Sequence, residues 1–460
     1  MKSFLRSIAA VLLIIIFSSF CFWRYEKLSV IGDVTSYFSD ALARLERFKD
    51  LAQPKEEEPG EETPPSGPFD PDSNYGGYDP SQAVDATLEA VLRAGLTNMD
   101  SVIDLSAFSL TSSALKNAME SIIYSSPEYF YLNSSYSIAS QGETVQSITL
   151  TYTATPDEVA VMREVYAQKL AEIVAGAPVD GSDFDKILYL HDYFVANYTY
   201  DNTLTIRDAY TFFTQKTGVC QAYMLGLIAA ARELGIQSLP VTSDAMKHAW
   251  NLVKIDGSWY HVDITWDDHN SYPTLTSYTY FLQSDAGLAA IDQGRAEADR
   301  HRAWACAEAA TNTKYDNAVF RRSNMPVLKH GGAYYLTVSA ENNTATSRGV
   351  ILWGTDITAM THFLDIKGGY WYASVGSYYK DCYASVIAKD GYLYYNSGNS
   401  LRRVSLTDKG SDHLVCLITD LGATESIYGI VGIENGKLTY LKAATLYDEN
   451  YTIGVCDITQ

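Results

Sequence analysis

A two-residue turn near the middle of the chain constrains its fold more than any other feature. Asp256-Gly257 lies between two runs of strand-forming residues, 249–255 and 258–265. Asp-Gly in such a context is a strong signal for a tight β-hairpin. The two-residue loop sets the register, which places His248 and Asp263 on one face of the hairpin as diagonal neighbours. Long side chains span the roughly 7–8 Å between such positions, so the hairpin predicts a histidine oriented by a carboxylate.

A helix predicted just before this hairpin carries a cysteine in its first turn. The apolar spacing predicts a helix over residues 219–234 that ends at Gly235. Cys220 then lies at the positive end of the helix dipole, which favours thiolate over thiol. A cysteine–histidine pair oriented by a carboxylate is the thiol form of a nucleophile–base–acid triad. We predict that Cys220 is the nucleophile, His248 the base and Asp263 the orienting acid. The alternative for Cys220 is a small buried hydrophobic residue.

Other polar residues nearby receive less weight. His261 lies on the same predicted face and competes for the role of base, although packing or hydrogen bonding suits its flanks better. His191 is interpreted as a core residue of a helix that starts near Ser182. Asp267-Asp268-His269 is interpreted as a solvated turn, because consecutive ligands rarely converge on one metal ion. No metal or other cofactor is expected, and no substrate-binding residue is identified.

Three motifs resemble the core of the transglutaminase-like superfamily, and residues 187–193 and 280–282 resemble its exported bacterial members. The three motifs are Gly218-Val219-Cys220-Gln221-Ala222-Tyr223, His248-Ala249-Trp250-Asn251 and His261-Val262-Asp263-Ile264-Thr265-Trp266-Asp267. The resemblance covers about residues 180–285. It implies a papain-like fold with the cysteine at a helix start and the histidine and aspartate on adjacent antiparallel strands. It also implies thioester chemistry by Cys220, His248 and Asp263.

The N-terminus has the pattern of an export signal. A short basic start precedes residues 7–23, which carry no charged side chain. No small-residue cleavage site ends this run, so we expect an uncleaved membrane anchor in residues 1–29 with the body of the protein outside the membrane. A cleaved signal and a secreted protein are the alternative. Residues 30–80 are predicted to form a juxtamembrane helix and an acidic linker that contains seven of the chain's 13 prolines.

The length of 460 residues favours two or three folded domains after the linker. Residues 81–180 are predicted to be α+β, with helices over 81–94, 113–123 and 155–175 and a hairpin around Gly142. Residues 181–312 form the predicted transglutaminase-like catalytic domain, whose last part, 286–310, is interpreted as helical. Residues 313–460 are predicted to be all-β, either propeller-like blades or a sandwich. The fold class is therefore α+β.

Charge and composition limit the partners. The chain has 34 basic and 55 acidic residues, a net charge of −21, which argues against nucleic acid. A protein or peptidoglycan peptide is the expected substrate, and the N-terminal segment is expected to contact the membrane. The 35 tyrosines suggest a polysaccharide or protein ligand for the C-terminal strands, and the alternative is that tyrosine is present only because it favours strands. No CxxC motif occurs among the six cysteines. The sequence does not determine whether Cys306, Cys382, Cys416 and Cys456 form disulfides.

Three functional hypotheses fit these features. The first is an extracytoplasmic thiol enzyme that hydrolyses or transfers amide bonds of protein or cell-wall peptide. The second is a cell-surface binding module that retains the fold without catalysis. The third is a structural envelope protein whose C-terminal β region is the active part. Replacing Cys220 by Ala distinguishes the enzyme from the other two.

Overall fold

The computed structural model describes most of the chain after residue 79. The anchor predicted in residues 1–29 and nearly all of the predicted linker lie outside the described residues. Among the described helices, none is both long enough and apolar enough to cross a membrane. The described residues are 80, 82–133, 135–268, 275–297, 300–340, 348–367, 369–374, 377–381, 384–418, 426–443 and 451–458.

Three helices and a small antiparallel sheet form the first part of the fold. The elements are α1 (Ala86–Asn98), β1 (Val102–Asp104), α2 (Ser112–Ser125), β2 (Ser137–Gln141), β3 (Thr144–Thr149) and α3 (Pro156–Val174). The sheet has the order β1-β3-β2, and β2 and β3 form the predicted hairpin around Gly142. The three predicted helices are present, but α1 begins later than predicted. Asp85 fixes that start, because its carboxylate accepts the backbone N–H groups of Thr87 and Leu88 at 3.0 and 2.9 Å.

The middle of the chain packs helices against a four-stranded antiparallel sheet. The helices are α4 (Asp183–Asn197), α5 (Ala209–Gln215), α6 (Cys220–Glu233), α7 (Ile264–Asp267) and α8 (Asp285–Ile291). The sheet consists of β6 (Ser238–Ser243), β7 (His248–Ile255), β8 (Ser258–Val262) and β9 (Phe281–Gln283), in that order. The short strands β4 (Thr199–Tyr200) and β5 (Thr217–Gly218) form a parallel pair. Helix α6 is almost wholly buried and packs on β7, which brings its first residue close to the hairpin.

The hairpin has the predicted turn but a shorter second strand. Ile255 pairs with Ser258, as a two-residue loop requires. Strand β8 ends at Val262, so the prediction of a strand as far as residue 265 is wrong. Asp263 instead caps α7, because its Oδ1 atom accepts the backbone N–H of Trp266 at 3.2 Å. The capping bond starts a helical turn where the sequence pattern alone continues as a strand.

The segment after β9 is also less helical than predicted. The sequence predicts a helix over residues 286–310, whereas α8 ends at Ile291. Asp292 then turns the chain, since its Oδ2 atom accepts the backbone N–H of His301 at 2.6 Å. Ala305 and Thr242 exchange two backbone hydrogen bonds, so the segment runs along the outer edge of β6. These tertiary contacts replace the helix that the local sequence favours.

The C-terminal region is all-β, as predicted. Its strands are β10 (Leu328–His330), β11 (Ala333–Ser339), β12 (Arg348–Gly354), β13 (Thr361–Lys367), β14 (Gly369–Ser374), β15 (Ser377–Asp381), β16 (Val386–Lys389), β17 (Tyr392–Ser397), β18 (Ser400–Ser405), β19 (His413–Leu417), β20 (Ser426–Glu434), β21 (Lys437–Ala443) and β22 (Tyr451–Asp457). Within the described strands the sheets are β10–β13, β14–β15, β16–β19 and β20–β22, and neighbours in each sheet are consecutive in the chain. Such meanders are typical of propeller blades and unlike a Greek-key sandwich.

The first C-terminal sheet shares a hydrophobic core with α4. The ring of Phe184 stacks on Tyr315 with 5.4 Å between centroids. The Tyr334 hydroxyl donates to Oδ1 of Asp185 at 2.6 Å. Leu336 belongs to the same buried apolar cluster as these rings. The core is therefore continuous across residue 312, where the sequence predicts a domain boundary.

Candidate active site

Cys220 is the first residue of α6, and only 5% of its surface is exposed. The short strand before it requires a glycine. A Cβ atom at Gly218 would lie 2.6 Å from Cβ of Ala222 and 2.8 Å from Cδ2 of Phe212. The glycine lets the backbone before α6 pack closely against Ala222 and Phe212. The thiol of Cys220 then lies at the positive end of the helix dipole. That position stabilises a thiolate.

His248 contacts both of the other residues that the sequence predicts in the site. Its Nε2 atom lies 2.6 Å from Oδ2 of Asp263, and its side chain forms a hydrogen bond with Cys220. Because Nε2 faces the carboxylate, Nδ1 is the ring nitrogen left for the thiol. His248 and Asp263 are both buried. The structure thus brings the three predicted residues together, although Asp263 reaches the site from the N-cap of α7 and not from a strand.

The charges of Cys220, His248 and Asp263 stabilise one another. Burial lowers the pKa of His248, but the Asp263 carboxylate and the Cys220 thiolate outweigh it and raise that pKa to about 10. Burial raises the pKa of Asp263, but His248 and His301 hold it well below its usual range. A protonated imidazole between two anions is the arrangement that a thiolate–imidazolium pair needs.

Two tryptophans fix the plane of the His248 ring. The ring centroids of Trp250 and Trp266 lie 5.5 and 5.2 Å from that of His248, and both pairs are stacked. Trp250 is held in turn, because its Nε1–H donates to Nδ1 of His261 at 3.0 Å. The side chain of His248 therefore has little rotational freedom.

His301 belongs to this site although the sequence pattern does not predict it. Its Nε2 atom lies 3.0 Å from Oδ2 of Asp263, the oxygen that also contacts His248. Its Nδ1 atom lies 3.1 Å from Oδ2 of Asp292, and its side chain is fully buried. His301 follows Asp263 by 38 residues and lies in an irregular segment. The one signal in the sequence is a histidine among aromatic and basic residues in a stretch whose pattern favours a helix.

His248, Asp263 and His301 also place three possible metal-ligand atoms within 4.8 Å of one another. Ligands of one tetrahedral zinc ion stand about 3.3 Å apart, because each zinc–ligand bond is about 2.0 Å long. The nitrogen–oxygen distances here are 2.6 and 3.0 Å, which are hydrogen-bond lengths. The three side chains therefore form a hydrogen-bonded chain through one carboxylate oxygen.

His261, the competitor for the role of base, has other partners. Its Nε2 atom lies 2.8 Å from Oδ1 of Asp285, and its Nδ1 atom accepts from Trp250. Burial lowers the pKa of His261. Both ring nitrogens are thus engaged in hydrogen bonds that support Trp250, and His248 is the histidine that contacts the thiol.

The prediction of a solvated turn at Asp267-Asp268 is wrong. Asp267 and Asp268 are buried. Asp267 Oδ2 lies 3.3 Å from Nε2 of His191, a fully buried residue of α4, and Asp268 accepts from the Tyr223 hydroxyl at 2.6 Å. These bonds tie α7 to α4 and α6 and so hold Asp263 at the start of α7. His269 lies outside the described residues.

Two more side chains lie near the thiol. Burial raises the pKa of Tyr200 far above its usual range, and the charge of Cys220 adds to the effect. Burial lowers the pKa of Arg207, while the charge of Cys220 opposes the change. Tyr200 lies on β4 opposite Gly218, two residues before the cysteine. The loop between β4 and α5 lies against the residue before the cysteine, because the backbone N–H of Val219 donates to the carbonyl oxygen of Ile206 at 2.9 Å.

Comparison with known families agrees with this geometry. Residues 168–264 match the sequence model of the transglutaminase-like superfamily. This segment is a transglutaminase-like domain. It includes Cys220, His248 and Asp263, the last of which lies one residue before the end of the match. His301 lies beyond the matched part of the transglutaminase-like domain.

Solved structures show limited similarity to the chain. A protein from Cytophaga hutchinsonii described as a cysteine protease is 18% identical over 26% of this chain and 51% of its own, with a TM-score of 0.19. A protein described as a TGase is 14% identical over 40% of this chain and 48% of its own, with a TM-score of 0.20. A bifunctional GH43-CE protein from Bacteroides eggerthii is 11% identical over 45% of this chain and 24% of its own, with a TM-score of 0.17. The chain spans about half the length of the first two. No curated protein matches it in sequence.

Proposed function

We propose that the protein is an extracytoplasmic cysteine enzyme that acts on amide bonds of protein or cell-wall peptide through a thioester intermediate. The buried contacts of His248 with Cys220 and Asp263 carry this proposal. Folding alone does not require three ionisable groups in these positions, because burying charges is costly. Their mutual stabilisation suits a site that must hold a thiolate and a protonated base together.

The reaction would proceed in two stages. The Sγ atom of Cys220 attacks the amide carbon and forms a C–S bond, and His248 gives its proton to the amine that leaves as the C–N bond breaks. Water or a second amine then attacks the thioester, His248 takes a proton from it, and Cys220 leaves as a thiolate. Asp263 keeps His248 in one orientation throughout. The backbone N–H of Cys220 at the start of α6 is one donor for the oxyanion.

The residues beside the thiol suit a peptide substrate. The Tyr200 hydroxyl is a donor for a carbonyl oxygen, and the Arg207 guanidinium is a donor for a carboxylate. Peptide chains of proteins and of the cell wall present both groups. We assign the first contacts with the substrate to these two side chains.

The location of the enzyme is a proposal that rests on the N-terminal sequence. The basic start and the uncharged residues 7–23 support a membrane anchor with the catalytic body outside the membrane. The acidic, proline-rich linker would then hold the enzyme at a distance from the bilayer. The blade-like sheets that follow the transglutaminase-like domain would bind polysaccharide or protein.

Amine incorporation and hydrolysis can be measured together on the full chain in detergent. The protein is incubated with casein or with cell-wall stem peptides, with and without monodansylcadaverine. We expect fluorescent labelling of the substrate if an amine accepts the acyl group, and newly formed carboxylates on the substrate if water does. Cys220→Ala is expected to abolish both, and Cys306→Ala to leave both unchanged.

The outcomes separate the hypotheses. Equal activity of wild type and Cys220→Ala contradicts the role of the cysteine. No activity of the wild type on either substrate contradicts the proposed substrate classes. If Cys220 also reacts no faster with thiol reagents than the other cysteines, the domain is a binding or structural module.

A further inference from the structure

We propose that His301, held by Asp292, is a positioning residue that keeps Asp263 in the orientation that His248 needs. The inference rests on the proposed function, because it concerns the acid of the same site. It adds two residues to the chain of Cys220, His248 and Asp263. Both lie beyond the segment that matches the transglutaminase-like superfamily.

The carboxylate of Asp263 contacts three donors. Oδ1 accepts the backbone N–H of Trp266 at 3.2 Å. Oδ2 lies 2.6 Å from Nε2 of His248 and 3.0 Å from Nε2 of His301. Because an ionised carboxylate can only accept, Nε2 of His301 must carry a proton. The capping bond fixes one oxygen and His301 fixes the other, so the carboxylate cannot rotate away from His248 without losing a bond.

Asp292 fixes the ring of His301. Its Oδ2 atom accepts the backbone N–H of His301 at 2.6 Å and lies 3.1 Å from Nδ1 of the ring. The Tyr280 hydroxyl lies 3.5 Å from Oδ1, and Nε of Arg295 lies 3.9 Å from the same oxygen. The side chain of Asp292 is 3% exposed. Both nitrogens of His301 therefore face a buried carboxylate, which leaves the ring a single orientation.

The same aromatic side chains enclose both histidines. The His301 centroid lies 4.8 Å from that of Trp250 and 4.3 Å from that of Trp266, the two rings that stack on His248. Tyr280 closes a further side at 4.8 Å. A change in the position of His301 would therefore also disturb the walls around His248.

Loss of His301 should reach the thiol through Asp263. A less well oriented carboxylate stabilises the protonated form of His248 less, and Cys220 then loses part of the charge that favours its thiolate. Both steps reduce the fraction of Cys220 that is ionised. The loss of reactivity should therefore be large at acidic pH and small at alkaline pH, where the thiol ionises without help from His248. Among the described residues, the titratable or charged groups facing His301, His248 and Cys220 are Asp263, Asp292, His261, Tyr280, Arg295, Tyr200 and Arg207.

Alkylation of Cys220 by iodoacetamide tests this inference without a known substrate. The full chain in detergent is treated at pH 6 and pH 9, and the modification of each cysteine is followed by mass spectrometry. His301→Ala is expected to lower the rate at Cys220 about tenfold at pH 6, the equivalent of one pKa unit, and by no more than about twofold at pH 9. His301→Gln is expected to restore most of the pH 6 rate, because its amide N–H can replace the Nε2–H of the ring.

Two aspartates provide a matched control. Asp292 and Asp285 each face a ring nitrogen of a buried histidine, at 3.1 and 2.8 Å, but only the histidine of Asp292 contacts Asp263. Asp292→Asn is expected to slow alkylation at pH 6 about threefold to tenfold. Asp285→Asn is expected to slow it by no more than about twofold, because Asp285 reaches His248 only through His261 and Trp250. This pair keeps the test decisive if His301→Ala does not fold.

Failure of this inference and failure of the proposed function look different. If wild-type Cys220 reacts rapidly at pH 6 and His301→Ala reacts equally fast, the positioning role is overturned. Equal losses in His301→Ala and His301→Gln, or in Asp292→Asn and Asp285→Asn, overturn it as well, because they indicate a general packing defect. Slow reaction of wild-type Cys220 at pH 6 contradicts the proposed function itself.

Discussion

The Nε2 atom of His248 lies 2.6 Å from Oδ2 of Asp263, and both side chains are almost fully buried. A carboxylate in this place determines which ring nitrogen carries a proton and leaves the other to exchange one with Cys220. One short contact between the start of β7 and the cap of α7 therefore sets the orientation of the proposed base.

Asp263→Asn should impair the chemistry far more than the fold. The amide keeps the size of the side chain but can turn an N–H toward His248, which favours the wrong tautomer. We expect the rate of thioester formation to fall about 10³–10⁴-fold, measured in a single turnover with an active amide substrate. A circular dichroism spectrum matching that of the wild type serves as the control for folding. A loss of less than about tenfold would contradict the orienting role.

Tyr334→Phe should loosen the junction between α4 and the first C-terminal sheet. The tyrosine hydroxyl donates to buried Asp185 at 2.6 Å, so its removal leaves one carboxylate oxygen without that donor. We expect the free energy of unfolding to fall by about 1–3 kcal/mol in urea titrations. Tyr335→Phe on the same strand is the matched control, because burial alone raises the pKa of that hydroxyl. Equal effects of the two variants would show that the contact with Asp185 adds no stability.

Glu120→Gln should stabilise the protein at alkaline pH. Burial raises the pKa of Glu120 from 4.5 to about 7, and its Oε2 atom has no hydrogen-bond partner among the described residues. The folded protein therefore binds this proton more tightly than the unfolded chain, and stability falls as the pH rises from about 4.5 to about 7. We expect a gain of about 1–3 kcal/mol at pH 8 and little change at pH 4, measured by urea unfolding.

A surface variant controls for the change of side chain in that experiment. Glu164 lies exposed on α3, so Glu164→Gln is expected to unfold as the wild type does at both pH values. If Glu120→Gln gives the same result as Glu164→Gln at pH 8, the buried charge of Glu120 does not oppose folding.

Local sequence rules predict the parts of the site that depend on neighbouring residues. The Asp256-Gly257 turn has positive φ values of 50° and 81°, as expected for a hairpin turn of this type. Thr155 and Glu158 form the capping box that starts α3 where the sequence predicts a helix. Helix spacing likewise places Cys220 at the start of α6. Each of these features involves only contacts within a few residues.

Long-range contacts decide what the sequence analysis could not predict. Asp267 is buried because His191, 76 residues earlier, lies beside it, whereas an isolated Asp-Asp pair looks like a surface turn. The approach of His301 to Asp263 depends on how an irregular segment folds back along β6. Neither contact leaves a periodicity or a motif in the chain. The triad itself can be predicted from the sequence, because His248 and Asp263 flank a single hairpin.

The pH dependence of Cys220 alkylation in the wild-type chain tests the central claim most directly. His248, with a pKa raised to about 10, stays protonated beside the thiolate throughout the neutral range and loses its proton only above that pH. We predict that the rate with iodoacetamide reaches half of its plateau below about pH 7, as for thiols activated by a histidine, and changes again near pH 10. A single titration near pH 8.5, the value of an ordinary cysteine, would contradict an activated nucleophile at Cys220.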